Sequence, residues 1–155
     1  MDVVKTFKST LNSVDYRYVT VVVIYVMSIL SLGFGAFTNN VMLVVLPAAV
    51  GIFMAFSLFL GASYRLYKLL KHFESCRLYE TLRNRADRYG LYFLLLVVLY
   101  TIFMFAGIVG YVLNDMSLLM FSIFSISALP PAIVATMLES YRVYKLMGQC
   151  LRQAS

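Results

Sequence analysis

Two stretches of this sequence are almost free of charge, and each is long enough to cross a lipid bilayer twice. No charged residue occurs from Tyr18 to Tyr64, and Asp115 is the only one from Tyr89 to Leu138. A bilayer-spanning helix needs about 20 predominantly apolar residues. Charged residues make up 13% of the chain, far below the roughly 25% of an ordinary soluble domain. The sequence therefore predicts a membrane-type protein.

Turn-forming residues divide each stretch into two helical spans. Thr38-Asn39-Asn40 lies near the middle of the first stretch and Asn114-Asp115 near the middle of the second, and both Asn and Asp favour turns. The predicted spans are Tyr18–Phe37, Val41–Tyr64, Leu91–Leu113 and Ser117–Leu138. The second span contains Pro47 and the fourth contains Pro130-Pro131, and proline should kink or break a helix there.

The exits from the two stretches have nearly the same sequence. "SYRLYKLL" runs from Ser63 to Leu70 and "SYRVYKLM" from Ser140 to Met147, with six of the eight positions identical. "DYRY" at 15–18 and "DRYG" at 87–90 open the two halves. This repetition predicts a duplicated helical hairpin with both copies in the same orientation. The Tyr, Arg and Lys residues of the exits are also those expected where any helix leaves a membrane.

These patterns predict an all-α fold with four hydrophobic helices in two tandem helical hairpins, a membrane-protein-like bundle with amphipathic extensions at its basic end. The chain, 1–155, is predicted to be a single domain. Its parts are the first helical hairpin at 15–70, a basic amphipathic extension at 71–86, the second helical hairpin at 87–147 and a C-terminal tail at 148–155.

Three segments beyond the spans carry apolar residues at helical spacing. After Ser63 the pattern predicts that the second helix continues to about Arg85, which makes it roughly 65 Å long at about 1.5 Å per residue. We expect the three extensions to pack on one another. Their apolar positions are Val4, Phe7, Leu11 and Val14, then Leu66, Leu69, Phe73, Cys76, Tyr79 and Leu82, and finally Val143, Leu146, Met147 and Cys150.

All thirteen Lys and Arg residues lie in those three segments, and neither short turn has any. Four crossings place the three segments at one end, which we call the basic end, and the positive-inside rule puts it in the cytoplasm with both termini. Thirteen basic and six acidic residues give this end a net charge of +7.

Cys76 and Cys150 also lie at the basic end, and because the cytosol keeps thiols reduced, the sequence predicts no structural disulfide between them. Without histidine partners they form no metal site.

The sequence offers little for catalysis. No Asp, Glu, Lys, Arg or His lies inside a span away from its ends, which disfavours a pump or coupled transporter, and no catalytic or cofactor-binding motif is found. His72, the one histidine, has no neighbouring nucleophile or carboxylate, so we expect it to be solvated or packed on a helix. Glu74, Glu80 and Asp87 are expected to pair with nearby arginines. We therefore expect neither an enzyme nor a cofactor.

The basic end allows two interpretations. It is either the positive-inside rim of a membrane protein with its aromatic belt, or a surface that binds the DNA backbone without sequence preference by releasing counterions. No base-reading motif is present. The candidate phosphate contacts are Arg65, Lys68, Lys71, Arg77, Arg83, Arg85, Arg88, Arg142, Lys145 and Arg152.

The chain resembles the major capsid proteins of spindle-shaped archaeal viruses. The resemblance lies in its two hydrophobic helical hairpins, Tyr18–Tyr64 and Tyr89–Leu138, in its one basic end and in its lack of catalytic residues. The resemblance implies a subunit that inserts in the host membrane and then assembles, in many copies, into a virion shell around double-stranded DNA. It places DNA-facing roles on the repeated exits, at Arg65, Lys68, Lys71, Arg142 and Lys145. In the membrane, both termini would share the cytoplasmic or lumenal side. The alternatives are an accessory or scaffold subunit of a cellular membrane complex and, less favoured, a small channel or transporter.

Overall fold

The computed structural model describes the backbone of residues 2–154 and the side chains of residues 19–152. Over this range the regular structure is helical, which confirms the predicted all-α fold. The elements are α1 (Asp2–Thr38), α2 (Val41–Leu70), a 3₁₀ turn (Lys71–Phe73), α3 (Tyr79–Val112), α4 (Met116–Ser127) and α5 (Pro130–Ala154). Four helical segments are long and apolar enough to cross a membrane: Val19–Thr38, Val41–Phe73, Tyr79–Val112 and Met116–Arg152.

The two short turns form as predicted, and they lie at the same end of the bundle. Asn39 (φ 57°) and Asn114 (φ 54°) both take the left-handed backbone conformation, which Asn tolerates better than most residues. The following residues cap the next helices, since Asn40 accepts from the Met42 N–H at 3.1 Å and Asp115 from the Ser117 N–H at 2.9 Å. The Tyr111 hydroxyl donates to Asn39 Oδ1 at 3.5 Å, which joins the two turns.

The two turns share the same geometry, as the predicted duplication requires. The Asn40 N–H donates to the Gly35 carbonyl at 3.1 Å, and the Asp115 N–H donates to the Gly110 carbonyl at 2.8 Å. Gly35 lies against the backbone of Leu43 and Val44, and Gly110 lies against that of Leu118 and Leu119. Each of these pairs is 75 positions apart, whereas the exit residues Arg65 and Arg142 are 77 apart. The second hairpin has two more residues between turn and exit.

The prolines act differently in the two hairpins. α2 continues through Pro47, whereas α4 ends at Ser127 and α5 begins at Pro130. Two consecutive prolines remove two helical N–H donors, and the chain compensates with a tight turn in which the Leu129 N–H donates to the Ile126 carbonyl at 3.1 Å. The prediction of a break is therefore confirmed at Pro130-Pro131, and this irregular turn interrupts the second hairpin between its turn and its exit.

Small and polar residues bring the helices close together inside the bundle. The hydroxyls of Ser28 on α1 and Tyr100 on α3 form a buried hydrogen bond, and Gly51 on α2 faces the same Tyr100 hydroxyl. Ser122 on α4 donates to the Phe103 carbonyl at 2.6 Å beside Gly107. Hydrogen bonds and close backbone approach are the usual means of joining helices where lipid weakens the hydrophobic driving force.

The second helix is shorter than the sequence predicts. It ends at Leu70 rather than near Arg85, and the chain folds back through the 3₁₀ turn and residues 74–78 before α3 begins at Tyr79. The predicted extension 71–86 is thus split between this connection and the first turns of α3. The physical reason is burial: the fold-back covers the apolar stripe, and Leu82 becomes fully buried, whereas a straight 65 Å helix would leave much of it in water.

The prediction of unpaired cysteines was wrong. Cys76 and Cys150 form a disulfide, with their Cα atoms 5.8 Å apart, within the range that a disulfide requires. The prediction rested on the redox state of the cytosol. The fold-back at 74–78 instead carries Cys76 to the last turns of α5.

The sides of the molecule expose a large apolar surface. The accessible surface is 9914 Å², about a quarter more than the roughly 7,900 Å² that the surface–mass relation gives for a compact soluble protein of this mass. Phe37 (89% exposed), Phe53 (74%) and Phe124 (71%) lie on outer helix faces. Helices that are apolar on all sides need lipid or other protein around them, so the exterior is that of a membrane-type protein.

Candidate nucleic-acid interface at the basic end

The structure places the ten candidate basic residues at one end of the molecule. They lie on four pieces of chain: the end of α2, the connection 71–78, the first turns of α3 and the end of α5. All are exposed except Arg85, which is half-buried. In chain order they are Arg65, Lys68, Lys71, Arg77, Arg83, Arg85, Arg88, Arg142, Lys145 and Arg152.

A separate hydrophobic cluster lies beneath these cations, and we call it the basic-end core. It joins the end of α2, the 3₁₀ turn, the start of α3 and the end of α5, so the predicted packing of the extensions is confirmed for two of the three. The N-terminal stripe at Val4, Phe7, Leu11 and Val14 lies outside the described side chains. The members of the core are Leu66, Leu69, Leu70, Phe73, Leu82, Ala86, Val143, Met147 and Cys150.

One buried carboxylate forms ion pairs with two of the candidate cations. Glu139 on α5 is 7% exposed. Its Oε1 accepts from Arg142 Nη1 at 2.7 Å, and its two oxygens lie 3.3 and 3.4 Å from Arg85 Nη1. A buried carboxylate needs such partners because desolvation of an unpaired charge is costly. The guanidinium groups of Arg85 and Arg142 are therefore held by protein and less available to phosphate than the other candidates.

This ion pair makes the two repeated exits chemically different. Arg65 and Arg142 occupy the same position of the octapeptide, but Ala62 stands three residues before Arg65 where Glu139 stands three residues before Arg142. Among the side chains of residues 19–152, both ion pairs involve Glu139, so Arg65 has no carboxylate partner in that range. The first exit thus presents a cation without a carboxylate partner among the described side chains, whereas the second presents a paired one.

The remaining acidic residues do not pair as expected. Glu74, Glu80 and Asp87 are exposed, and none lies within ion-pair distance of a basic side chain among residues 19–152. Exposed ion pairs gain little in water, about 0–1 kcal/mol, so proximity in sequence does not enforce them. The first exit, the connection and the start of α3 therefore keep most of their basic side chains free of described carboxylate partners.

His72 lies on the 3₁₀ turn and is exposed, with its Nδ1 2.9 Å from the Lys68 carbonyl oxygen. Within residues 19–152 no three His, Cys, Asp or Glu side chains are arranged to hold a metal ion. The chemistry of this end is that of a cationic surface.

Sequence reasoning missed two features that organise this site, the ion pairs of Glu139 and the disulfide between Cys76 and Cys150. Glu139 carried a local signal, an acidic residue three positions before Arg142 at the point where an apolar stretch ends, but its bond to Arg85 spans 54 positions. The pairing of Cys76 with Cys150 depends on the fold-back, for which no Gly or Pro gave a sign.

No protein family model, curated protein or solved structure matches this chain.

Proposed function

We propose that this protein is a structural subunit that self-assembles through its apolar helices, most specifically a viral coat protein. It inserts in the host membrane through its four spans, with the basic end and both termini on the cytoplasmic side, and then assembles into a shell whose basic end faces DNA. The resemblance to the major capsid proteins of spindle-shaped archaeal viruses supports the choice of virus. The residues of this chain supply packing and charge, and no catalytic step is assigned to them.

The observation that carries the proposal is the basic-end core. A rim of Tyr, Arg and Lys that only marks a membrane boundary needs no folded structure beyond that boundary. Here the chain folds back beyond the exit and buries Phe73, Leu82 and Met147 beneath the cations. Cations on a fixed platform lose less conformational entropy when they bind a ligand than cations on a mobile tail. This favours a surface that binds something, and its charge favours phosphate.

The proposed contact is with the DNA backbone. Duplex DNA carries one negative charge per about 1.7 Å of its axis, and each neutralised phosphate releases condensed counterions. The cations without a described partner are Arg65, Lys68, Lys71, Arg77, Arg83, Arg88 and Lys145. If six of them contact phosphate, log affinity should fall with log salt concentration at a slope of about −5. The affinity should be independent of base sequence.

The exposed helix faces support assembly into many copies. The outer faces of all the spans carry large apolar side chains, including Phe53, Phe105 and Phe124. In a shell, neighbouring copies would cover these faces, and two similar hairpins per chain would allow nearly equivalent contacts on two sides. A scaffold subunit of a cellular complex would instead leave most of them to lipid.

Electron microscopy of the purified native protein tests the proposal. Helical or spindle-shaped shells that contain DNA are the expected result. Isolated small complexes without DNA would favour the scaffold alternative and contradict the coat function. A variant with Arg65, Lys68 and Lys71 changed to Gln should still form apolar contacts but should enclose less DNA. Its matched control replaces Tyr64 and Tyr67, which are exposed on the same exit, with Phe.

A further inference from the structure

The disulfide lies at the basic end, and this position carries an inference about how that end is controlled. Cys76 is half-buried in the connection between the 3₁₀ turn and α3, and Cys150, 3% exposed, belongs to the basic-end core with Phe73 and Met147. The bond joins segments 74 positions apart. It is therefore the covalent tie between the connection 71–78 and the last turns of α5.

The charge and the disulfide of this end belong to different redox environments. Basic segments stay on the cytoplasmic side during insertion, where mesophilic cells keep thiols reduced. A disulfide persists where the environment is oxidising. A basic end that begins in the cytosol and is later enclosed in a released particle would meet both conditions in that order.

We infer that Cys76 and Cys150 form a redox latch on the basic end. The dithiol form leaves the connection 71–78 and the end of α5 held by packing alone, and the disulfide form joins them into one rigid unit. Closure is a thiol–disulfide exchange with a small disulfide oxidant such as oxidised glutathione. The Cys76 thiolate, the more accessible one, attacks the oxidant and releases one small thiol, and the Cys150 thiolate then displaces the second. Two protons leave the cysteines and two small thiols form.

Opening the latch by reduction should affect phosphate binding differently from a mutation that removes a positive charge. Lys71 and Arg77 lie in the connection 71–78, and reduction keeps both charges while releasing their positions. The number of counterions displaced by DNA, and so the salt slope, should stay nearly the same. Affinity should fall by about tenfold, because two long side chains and their backbone must be ordered on binding. The loss of affinity and the order of the two redox environments rest on the proposed function, whereas the effect of the disulfide on the connection and the end of α5 does not.

Amide hydrogen exchange on the full-length protein in lipid vesicles tests the latch. After reduction by dithiothreitol, exchange should become faster by about tenfold or more at 71–78 and 146–152. It should be unchanged at the distant turns, 38–41 and 113–116. The Cys76→Ser variant should behave like the reduced protein with or without reductant. Ser75→Ala, at an exposed neighbouring position, should behave like wild type in both states.

A second measurement separates the latch from the proposed function. Binding of a short mixed-sequence DNA duplex is titrated with the oxidised and the reduced protein over a range of salt concentrations. Equal exchange rates in the two redox states would overturn the latch, whatever the DNA result. Faster exchange without DNA binding in either state would keep the latch and overturn the DNA function. Faster exchange with a tenfold loss of affinity and an unchanged slope would support both.

Discussion

At the scale of single residues, the molecule contains an internal comparison that bears directly on its chemistry. Arg65 on α2 and Arg142 on α5 occupy the same position of two nearly identical octapeptides, and Glu139 pairs only with the second of these arginines. The ion pairs of Glu139 join α5 to α3, so the difference alone does not indicate a ligand. For a phosphate-binding surface, it predicts which arginine contributes.

The first prediction compares Arg65→Gln with Arg142→Gln. Loss of Arg65 should weaken DNA binding and reduce the magnitude of the salt slope by about 0.9, the value of one phosphate contact. Loss of Arg142 should change the slope much less, because its guanidinium is already paired at 2.7 Å. Fluorescence titration with a labelled duplex at several salt concentrations measures both slopes. Equal effects would mean that the ion pair opens on binding and that the two exits are equivalent.

The second prediction concerns Glu139→Gln. Glutamine keeps the shape and one acceptor but not the charge, so Arg85 and Arg142 become available to phosphate. The salt slope should become steeper by up to about 1.8, the value of two contacts. Because Arg85 and Arg142 remain partly solvated, with side chains 35% and 55% exposed, the loss of stability should be only about 1 kcal/mol. An unchanged slope in a folded variant would contradict this assignment.

At the scale of elements, the sequence predicted helix ends well where the ends have local causes. Asn39 and Asn114 stop helices because they take a positive φ, and Pro130-Pro131 stop one because they lack donors. The end of α2 at Leu70 has no such cause. The apolar period runs on from Leu66 to Leu82 across the connection, and only the gain from burying that stripe against α5 makes the chain turn. Stabilisation by contacts between segments distant in sequence gives no local sequence signal at the helix end.

The third prediction concerns helix contact at Gly110. A methyl group there would lie 2.7 Å from the Leu119 backbone nitrogen and 3.1 Å from the Leu118 carbonyl carbon, and backbone atoms cannot move aside as side chains can. Gly110→Ala should destabilise the second hairpin by about 1–3 kcal/mol. Gly33→Ala, where a methyl group meets nothing within 4 Å, should be neutral or slightly stabilising because alanine favours helix. Thermal unfolding in one detergent compares the two, and equal unfolding temperatures would argue against the tight packing of α3 on α4.

At the scale of the whole molecule, charge and hydrophobicity are separated along one axis. The side faces are apolar, with a small apolar cleft lined by α1, α2, α3 and the start of α5, and the cations gather at one end. This polarity could be predicted from sequence because it follows from where the charged residues fall along four crossings. The packing of apolar stripes beneath the cations was also predicted, but the fold-back and the disulfide at that end were not, since they depend on contacts among the connection, α3 and α5.

The fourth prediction concerns which way the basic end points in an assembled shell. Every lysine of the chain lies in one of the three basic segments, at Lys5, Lys8, Lys68, Lys71 and Lys145. A membrane-impermeant amine reagent should therefore leave intact shells almost unlabelled. Once the shells are disrupted, it should modify Lys68, Lys71 and Lys145. Mass spectrometry of peptides measures the labelling of each lysine. The control is Leu113→Lys, which adds one amine at the opposite end, at an exposed position beside the second turn. That lysine should be labelled in intact shells, which shows that the reagent reaches the outer surface. Labelling of Lys68 and Lys71 in intact shells would place the basic end outside, away from any enclosed genome, and would rule out the coat arrangement proposed for this protein.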